Sequence, residues 1–220
     1  MKWQRTFKFF VLTLGGWGFA TAALAACPRV GEPAVSVQVV DPGPRVVTTK
    51  SIKQINTMAG SHGLSKPGFQ VLGMTEISID SGVKVSYRGQ PVGQTVCVNV
   101  EKVEGHFGLK KHFVNVPREY PRESCQYNVV LRHEMAHVDV NRRTVRKYAD
   151  VLKAEVRRAL RITGSVQAAS MAQGQQAQAA VIQKVVDDVG ARFSDELNAL
   201  HAAIDEPGSK YAAAGQCRGW

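Results

Sequence analysis

From Gln126 to Thr163 the chain contains neither proline nor glycine. So long a stretch without a breaker, with Val129, Val130, Leu131, Val138 and Val140 recurring along it, predicts one long helix. Ser124 stands where an N-cap is needed, and Gly164 ends the pattern. Inside this helix lies His133-Glu134-Met135-Ala136-His137, an HExxH. Imidazoles four positions apart on a helix project from one face, about one turn from each other. That is a workable bite for two ligands of a tetrahedral Zn²⁺, with Glu134 placed to take a proton from a metal-bound water. The plain alternative, two surface histidines on an amphipathic helix, accounts less well for an HExxH set inside so long a helix.

Catalytic zinc needs a third protein ligand and an open position. The short form HExxHxxGxxH fails, because Val140 stands where the glycine belongs and Arg143 where the last histidine belongs. Glu155 lies 18 residues past His137, about 27 Å along an unbroken helix, and reads instead as a partner of Arg158 or Arg161. A second helix, from about Gln175 to Ile204, carries an apolar stripe of Val181, Ile182, Val185, Val186, Val189, Phe193, Leu197 and Leu200 and stops at Pro207-Gly208. If the two helices fold back about Ala169, in the loose connection between Gly164 and Gly174, His201 returns beside His137 and Asp205 beside His133. His201 is the first candidate for the third ligand and Asp205 the next. A sharp reversal at Gly164 would bring Asp195 or Glu196 there instead, and His106, His112 or Glu119 would come from the other side. Asn141 shares the face of His137 and is suited to hold an imidazole tautomer. Tyr120 and Tyr148 are available as oxyanion donors, although a buried core tyrosine is the simpler reading of each.

The N-terminus reads as a secretion signal over residues 1–26. Lys2, Arg5 and Lys8 precede a largely apolar run from Phe9 to Ala23, and Ala23-Leu24-Ala25 is a cleavage site. Leu24-Ala25-Ala26-Cys27 also fits a lipobox, which would anchor the mature chain as a lipoprotein through Cys27. Cysteine parity argues for a thiol partner instead: Cys27, Cys97, Cys125 and Cys217 are even in number. In an oxidising compartment, periplasmic or extracellular, the expected bridges are Cys97–Cys125 and Cys27–Cys217. The formal charge of +10 is weak evidence for nucleic acid. Three of the positive charges belong to the signal, many others decorate one helix, and no aromatics interleave with them as stacking platforms. A solvated basic face near envelope lipid or acidic cell-wall material is the simpler account.

Residues 27–120 read as mainly β. Ala34–Val40 is a candidate strand, and Ser51 caps a short helix to Gly60. Phe69–Ile79 and Val83–Tyr87 flank Asp80-Ser81-Gly82, a hairpin loop by composition. Thr95–Val103 and His112–Val116 complete the set through a turn at Gly105–Gly108. The expected architecture is α+β, one domain over residues 27–220: a small antiparallel sheet packed on a long helical hairpin (residues 121–206) whose first helix carries HExxH, then a tail from 207.

At the level of motifs the chain resembles zincin-type metallopeptidases, and more narrowly the predicted secreted zinc-dependent proteases of bacteria. The resemblance is carried by Ser124-Cys125-Gln126-Tyr127, Leu131–Val138, Asn141-Arg142-Arg143 and the late His201-Ala202-Ala203-Ile204-Asp205. It implies a water nucleophile on zinc, with Glu134 as base and then proton shuttle to the leaving amine. It also implies a peptide or protein substrate lying as an added strand on a sheet edge, for which His112–Val116 is the candidate. A second reading, from a different class, is a non-catalytic envelope binding or assembly protein with a structural or relic metal site. A zinc amidase acting on cell-wall peptides would share the site and differ in substrate.

Overall fold

The computed structural model describes residues 27–218 apart from 29, 65–67, 69 and 214, so the expected signal peptide lies outside the described residues. The chain runs β1 (Ala34–Val40), β2 (Arg45–Val47), α1 (Ile52–Ser61), β3 (Met74–Val92), β4 (Thr95–Asn115), α2 (Cys125–Thr163), β5 (Val166–Ala168) and α3 (Met171–Asp205). The long central strand β4 organises the sheet. One of its edges is covered by β3, antiparallel over the whole length of β3; the other is covered in succession by β5, β1 and β2.

The α+β class holds, but the expected architecture needs correction. The sheet is mixed rather than antiparallel, since β1 and β2 both pair parallel to β4. The long helices do not form a free hairpin joined by a loose loop: β5 lies between them and pairs with Val96–Val98 of β4, which ties the connection into the sheet. The physical reason is β4 itself. A strand of 21 residues is too long for one short partner per edge, so its second edge recruits three separate segments.

Glycine composition misleads in the same region. Asp80-Ser81-Gly82 does not turn but pairs straight through with Gly108, Phe107 and His106, and the hairpin turn falls at Gly93-Gln94. Gly105–Gly108 likewise stays in the strand. A Cβ on Gly108 would stand 2.0 Å from the Val40 carbonyl oxygen, so this glycine lets β1 come close rather than letting the chain reverse. Gly108→Ala is expected to cost about 1–3 kcal/mol of stability by forcing β1 away from β4. A denaturant midpoint equal to wild type would show that β1 does not make this approach.

Two bulges set the faces of β4. Its register against β3 skips Glu101 and Lys110, so the inward parity changes twice. Val98 and Val100, then Val103, Phe107 and Leu109, then His112 and Val114 are buried in turn. The middle group meets Ala136, Val140, Tyr148, Leu152 and Val156 of α2 and Ile182, Val189, Phe193 and Leu197 of α3 in the main core. Phe193 packs edge-to-face against both Phe107 (5.2 Å) and Tyr148 (5.5 Å). A smaller cluster joins Val114 and Val116 to Val130 and Val138.

The disulfides are Cys27–Cys97 and Cys125–Cys217, correcting both expected bridges, Cys97–Cys125 and Cys27–Cys217. Gln178 donates to the carbonyls of Val98 and Gly164, which puts the start of β4 beside the end of α2. Val114 and Val116 meet Val130 near the other end. Cys97 and Cys125 are thus separated by most of a helix that rises about 1.5 Å per residue. Cys27 is in a bridge, so the lipoprotein alternative, which needs its sulfur, is not the state described. Two disulfides suit an oxidising compartment, and among the described residues no helix is long and apolar enough to cross a membrane.

Several basic side chains of α2 pair with acids while staying largely exposed, as a solvated basic face would. Arg142 donates to Asp41 (2.7 Å), Arg146 stands 3.7 Å from the same carboxylate, and Lys147 pairs with Glu196. Burial works against the Asp41 carboxylate, but Arg142, the Gly43 amide and Arg146 outweigh it and hold its pKa below the usual value.

Candidate metal centre

Helix α2 is anchored on two sides. Ala136 and Val140 enter the main core while Val130 and Val138 enter the smaller cluster, which fixes the roll of the helix about its axis. His133 and His137 then face the last turn of α3, whose own position is set by buried Leu197 and Ile204. The tail closes over the site. Ser209 donates to the Ile204 carbonyl, and Cys217 is bonded to Cys125 at the first residue of α2.

Three atoms converge. His133 Nε2 and His137 Nε2 are 3.2 Å apart, and Asp205 Oδ1 lies 3.1 Å from the first and 3.0 Å from the second. The other nitrogen of His133, Nδ1, is 2.9 Å from the Tyr211 carbonyl oxygen. A carbonyl can only accept, so Nδ1 carries the proton and a neutral His133 points a lone pair from Nε2 into the triangle. Lone pairs on two nitrogens and a carboxylate oxygen at this separation repel unless a positive charge sits among them. Two donors each about 2.0–2.1 Å from zinc at a tetrahedral angle stand about 3.3 Å apart, close to the spacing here. His133, His137 and Asp205 therefore form a group that could hold a metal ion.

His201, the first-ranked third ligand in the sequence, stands outside this triangle. Its Nδ1 is 2.6 Å from Nδ1 of His137, the nitrogen on the far side of that ring, and its Nε2 is 2.9 Å from Asn141 Oδ1. The carboxylate one turn later on α3 reaches both Nε2 atoms instead. The other candidates are elsewhere: Glu196 binds Lys147 and Tyr148, Glu119 accepts from the Ile52 amide, and His106 lies 3.6 Å from Asp80. Glu155 pairs with Arg158. Tyr148 is spent between the helices, its hydroxyl shared by the Arg192 carbonyl and Glu196. Tyr120 packs beside the smaller cluster.

Glu134 is buried, only 4% exposed, and Thr75 at the start of β3 donates to its Oε2 at 2.7 Å. Thr75 carries no signal in the sequence that would have selected it. Gly73 carries one in retrospect: a Cβ there would stand 2.5 Å from a methyl of Val130 and 2.8 Å from Glu134 Oε1, so only glycine lets the chain pass the carboxylate. Burial pushes the Glu134 pKa up, against the pull of His137, the Thr75 hydroxyl and His133, and so strengthens it as a base. Burial also opposes ionisation of Asp205; without a metal ion, the His133 and His137 rings in their protonated form donate to it and hold the carboxyl far below its ordinary range. The His133 side chain is 17% exposed, that of His137 9% and that of Asp205 56%, so the group is open on the Asp205 side.

The expected substrate edge, His112–Val116, is not an edge. Residues 112–115 lie in β4 between β3 and β2, paired on both sides through Phe113 and its neighbours, and His112 is buried. Among the described residues the strand nearest Glu134 with an unpaired edge is β3, which bonds only to β4.

No protein-family model, no curated protein and no solved structure matches this chain.

Proposed function

We propose that this chain is a zinc-dependent peptidase of an oxidising compartment, the periplasm or the cell exterior. The observation that carries the reading is the meeting of His133 Nε2, His137 Nε2 and Asp205 Oδ1 next to the buried carboxylate of Glu134. Two imidazoles and a carboxylate are donor types that zinc takes, and three protein donors leave one position open. A zinc ion held there supplies Lewis acidity to a water and to a peptide carbonyl. Glu134, its carboxylate oriented by Thr75, removes a proton from the attacking water and returns it to the leaving amine. The Tyr211 carbonyl keeps His133 in the tautomer that presents Nε2.

The exposure of Asp205 supports a hydrolase over an envelope protein with a caged structural ion, because a polymer can reach this site from solvent. The free edge of β3, which begins beside Thr75, is the place for an extended peptide to add as a strand. A cell-wall peptide would use the same edge. The deciding experiment is metal analysis of the purified oxidised protein together with hydrolysis of a fluorogenic peptide library. Zinc at about one per chain is expected, with cleavage that stops on chelation and returns with Zn²⁺. Protein that takes up no zinc after reconstitution would leave the binding-protein reading in its place.

A further inference from the structure

Behind the triangle the polar contacts do not stop. His137 Nδ1 meets His201 Nδ1 at 2.6 Å, His201 Nε2 meets Asn141 Oδ1 at 2.9 Å, and Asn141 Nδ2 meets His112 Nε2 at 3.3 Å. Asn141 and His112 are 1% and 2% exposed, so neither exchanges these partners for solvent. Each contact needs one donor and one acceptor, and each neutral imidazole has one of each, so the direction of one bond fixes all the others. Asn141 Oδ1 can only accept, so His201 Nε2 donates to it and His201 Nδ1 is left as an acceptor. His137 Nδ1 must then be the donor, and Nε2 is free to face the triangle. At the far end Asn141 Nδ2 donates, so His112 Nε2 accepts and its proton sits on Nδ1.

That last nitrogen is buried and has no hydrogen-bond partner, a costly arrangement for an imidazole. It is accounted for if the other face of the ring is needed to hold the Asn141 amide one way round. Desolvation lowers the His112 pKa, so burial favours the neutral ring that can accept. The bulge at Lys110 is what brings His112 to the helix side of β4, since without it the residue would follow the parity of Val103, Phe107 and Leu109 outward.

We infer that His201 and Asn141 are positioning residues of the metal centre, forming with His112 a one-directional hydrogen-bond chain that holds His137 in the tautomer whose Nε2 is the ligand. The inference rests on the metal-centre reading above and adds to it residues that touch neither metal nor substrate. The reverse direction is the competitor. There Asn141 would present its amide nitrogen to His201, His201 would donate to His137 Nδ1, and His137 Nε2 would carry a proton, donate it to Asp205 Oδ1 and be unable to bind a metal.

The test pairs zinc affinity, by competition with a chromogenic chelator, with the ring-nitrogen spectrum of histidine-labelled protein. His201→Leu removes the acceptor for His137 Nδ1 and is expected to weaken zinc about 10–100-fold. His201→Asn places an amide oxygen where Nδ1 stood and is expected to recover most of that loss. A generic packing role would not be rescued by the smaller polar residue. Equal affinities in the two variants, whether both weak or both intact, would overturn the chain. The wild-type spectrum provides a readout that no folding failure can obscure: His201 protonated on Nε2 and His112 on Nδ1, with or without zinc. His201 protonated on Nδ1 alone would establish the reverse direction and defeat the inference even in a protein that binds zinc and cleaves peptides. Wild type that binds no zinc defeats the functional reading instead, and the metal-free spectrum still decides the direction of the chain.

Discussion

Glu134→Gln is expected to abolish peptide hydrolysis, by about 10²–10⁴-fold in kcat, while zinc stays bound at wild-type stoichiometry. The side chain is of nearly equal volume, so the close passage of Gly73 and the packing of Val130 are kept. The Thr75 hydroxyl can still donate to the amide oxygen. What is lost is, among the described residues, the only buried carboxylate beside the triangle. Removing a charge whose burial is opposed by desolvation also means that the fold should not suffer, and the thermal midpoint should equal or exceed that of wild type. Steady-state cleavage and metal content measured on the same preparation decide the matter. A glutamine variant that cleaves as fast as wild type would take Glu134 out of the mechanism.

Asp205→Ala carries the second large expectation. With the carboxylate gone only two imidazole donors remain, and zinc affinity should fall by more than the about 10–100-fold that loss of an outer hydrogen-bond partner costs. Chelator competition on Asp205→Ala beside His201→Leu ranks the two residues directly. Wild-type affinity in Asp205→Ala would remove it from the ligand set, whatever the geometry. The effect should also not be a folding effect. Asp205 is exposed and its contacts are with the two histidines, so circular dichroism of the metal-free variant should match that of metal-free wild type.

The course of α2 was legible because local signals agree with one another. Ser124 accepts from the Tyr127 amide as a cap should, no breaker intervenes, and Gly164 stops the helix with a positive φ. The sheet was less legible, for two physical reasons. Bulges at Glu101 and Lys110 break the alternation that reveals which face is buried, and nothing local marks a charged residue as the extra one. Glycines at 82, 105 and 108 have the composition of turns but serve close approach. The disulfides could not be read from spacing, since four cysteines allow three pairings and the choice depends on which ends of β4 and α2 coincide.

The choice between His201 and Asp205 depended on something equally non-local. The two lie one turn apart on the same face of α3, so a slide of a few ångströms along α2 exchanges their neighbours. That slide is fixed far from the site, where β5 pairs with β4 and where Gly174 lets α3 touch Val98. In the sequence His112 reads as a candidate ligand and as the start of an edge strand. Its place behind Asn141 follows from a strand parity that the sequence does not display.

The Cys125–Cys217 bridge, with its sequence separation of 92, closes the helical half of the molecule into a covalent ring that contains His133, His137 and Asp205. The ring has two routes between the halves of the site: the backbone through β5, and the sulfur bridge. A single proteolytic nick near Ser165–Ser170 would open the first route and leave the second intact. The product would be a two-chain molecule with its donors still tethered. A cross-link of this loop length restricts the unfolded chain by about 4–5 kcal/mol in the chain-entropy picture. In the oxidising compartment that two disulfides suit, a cut at the connection between the two long helices would leave all three donors on one covalent molecule.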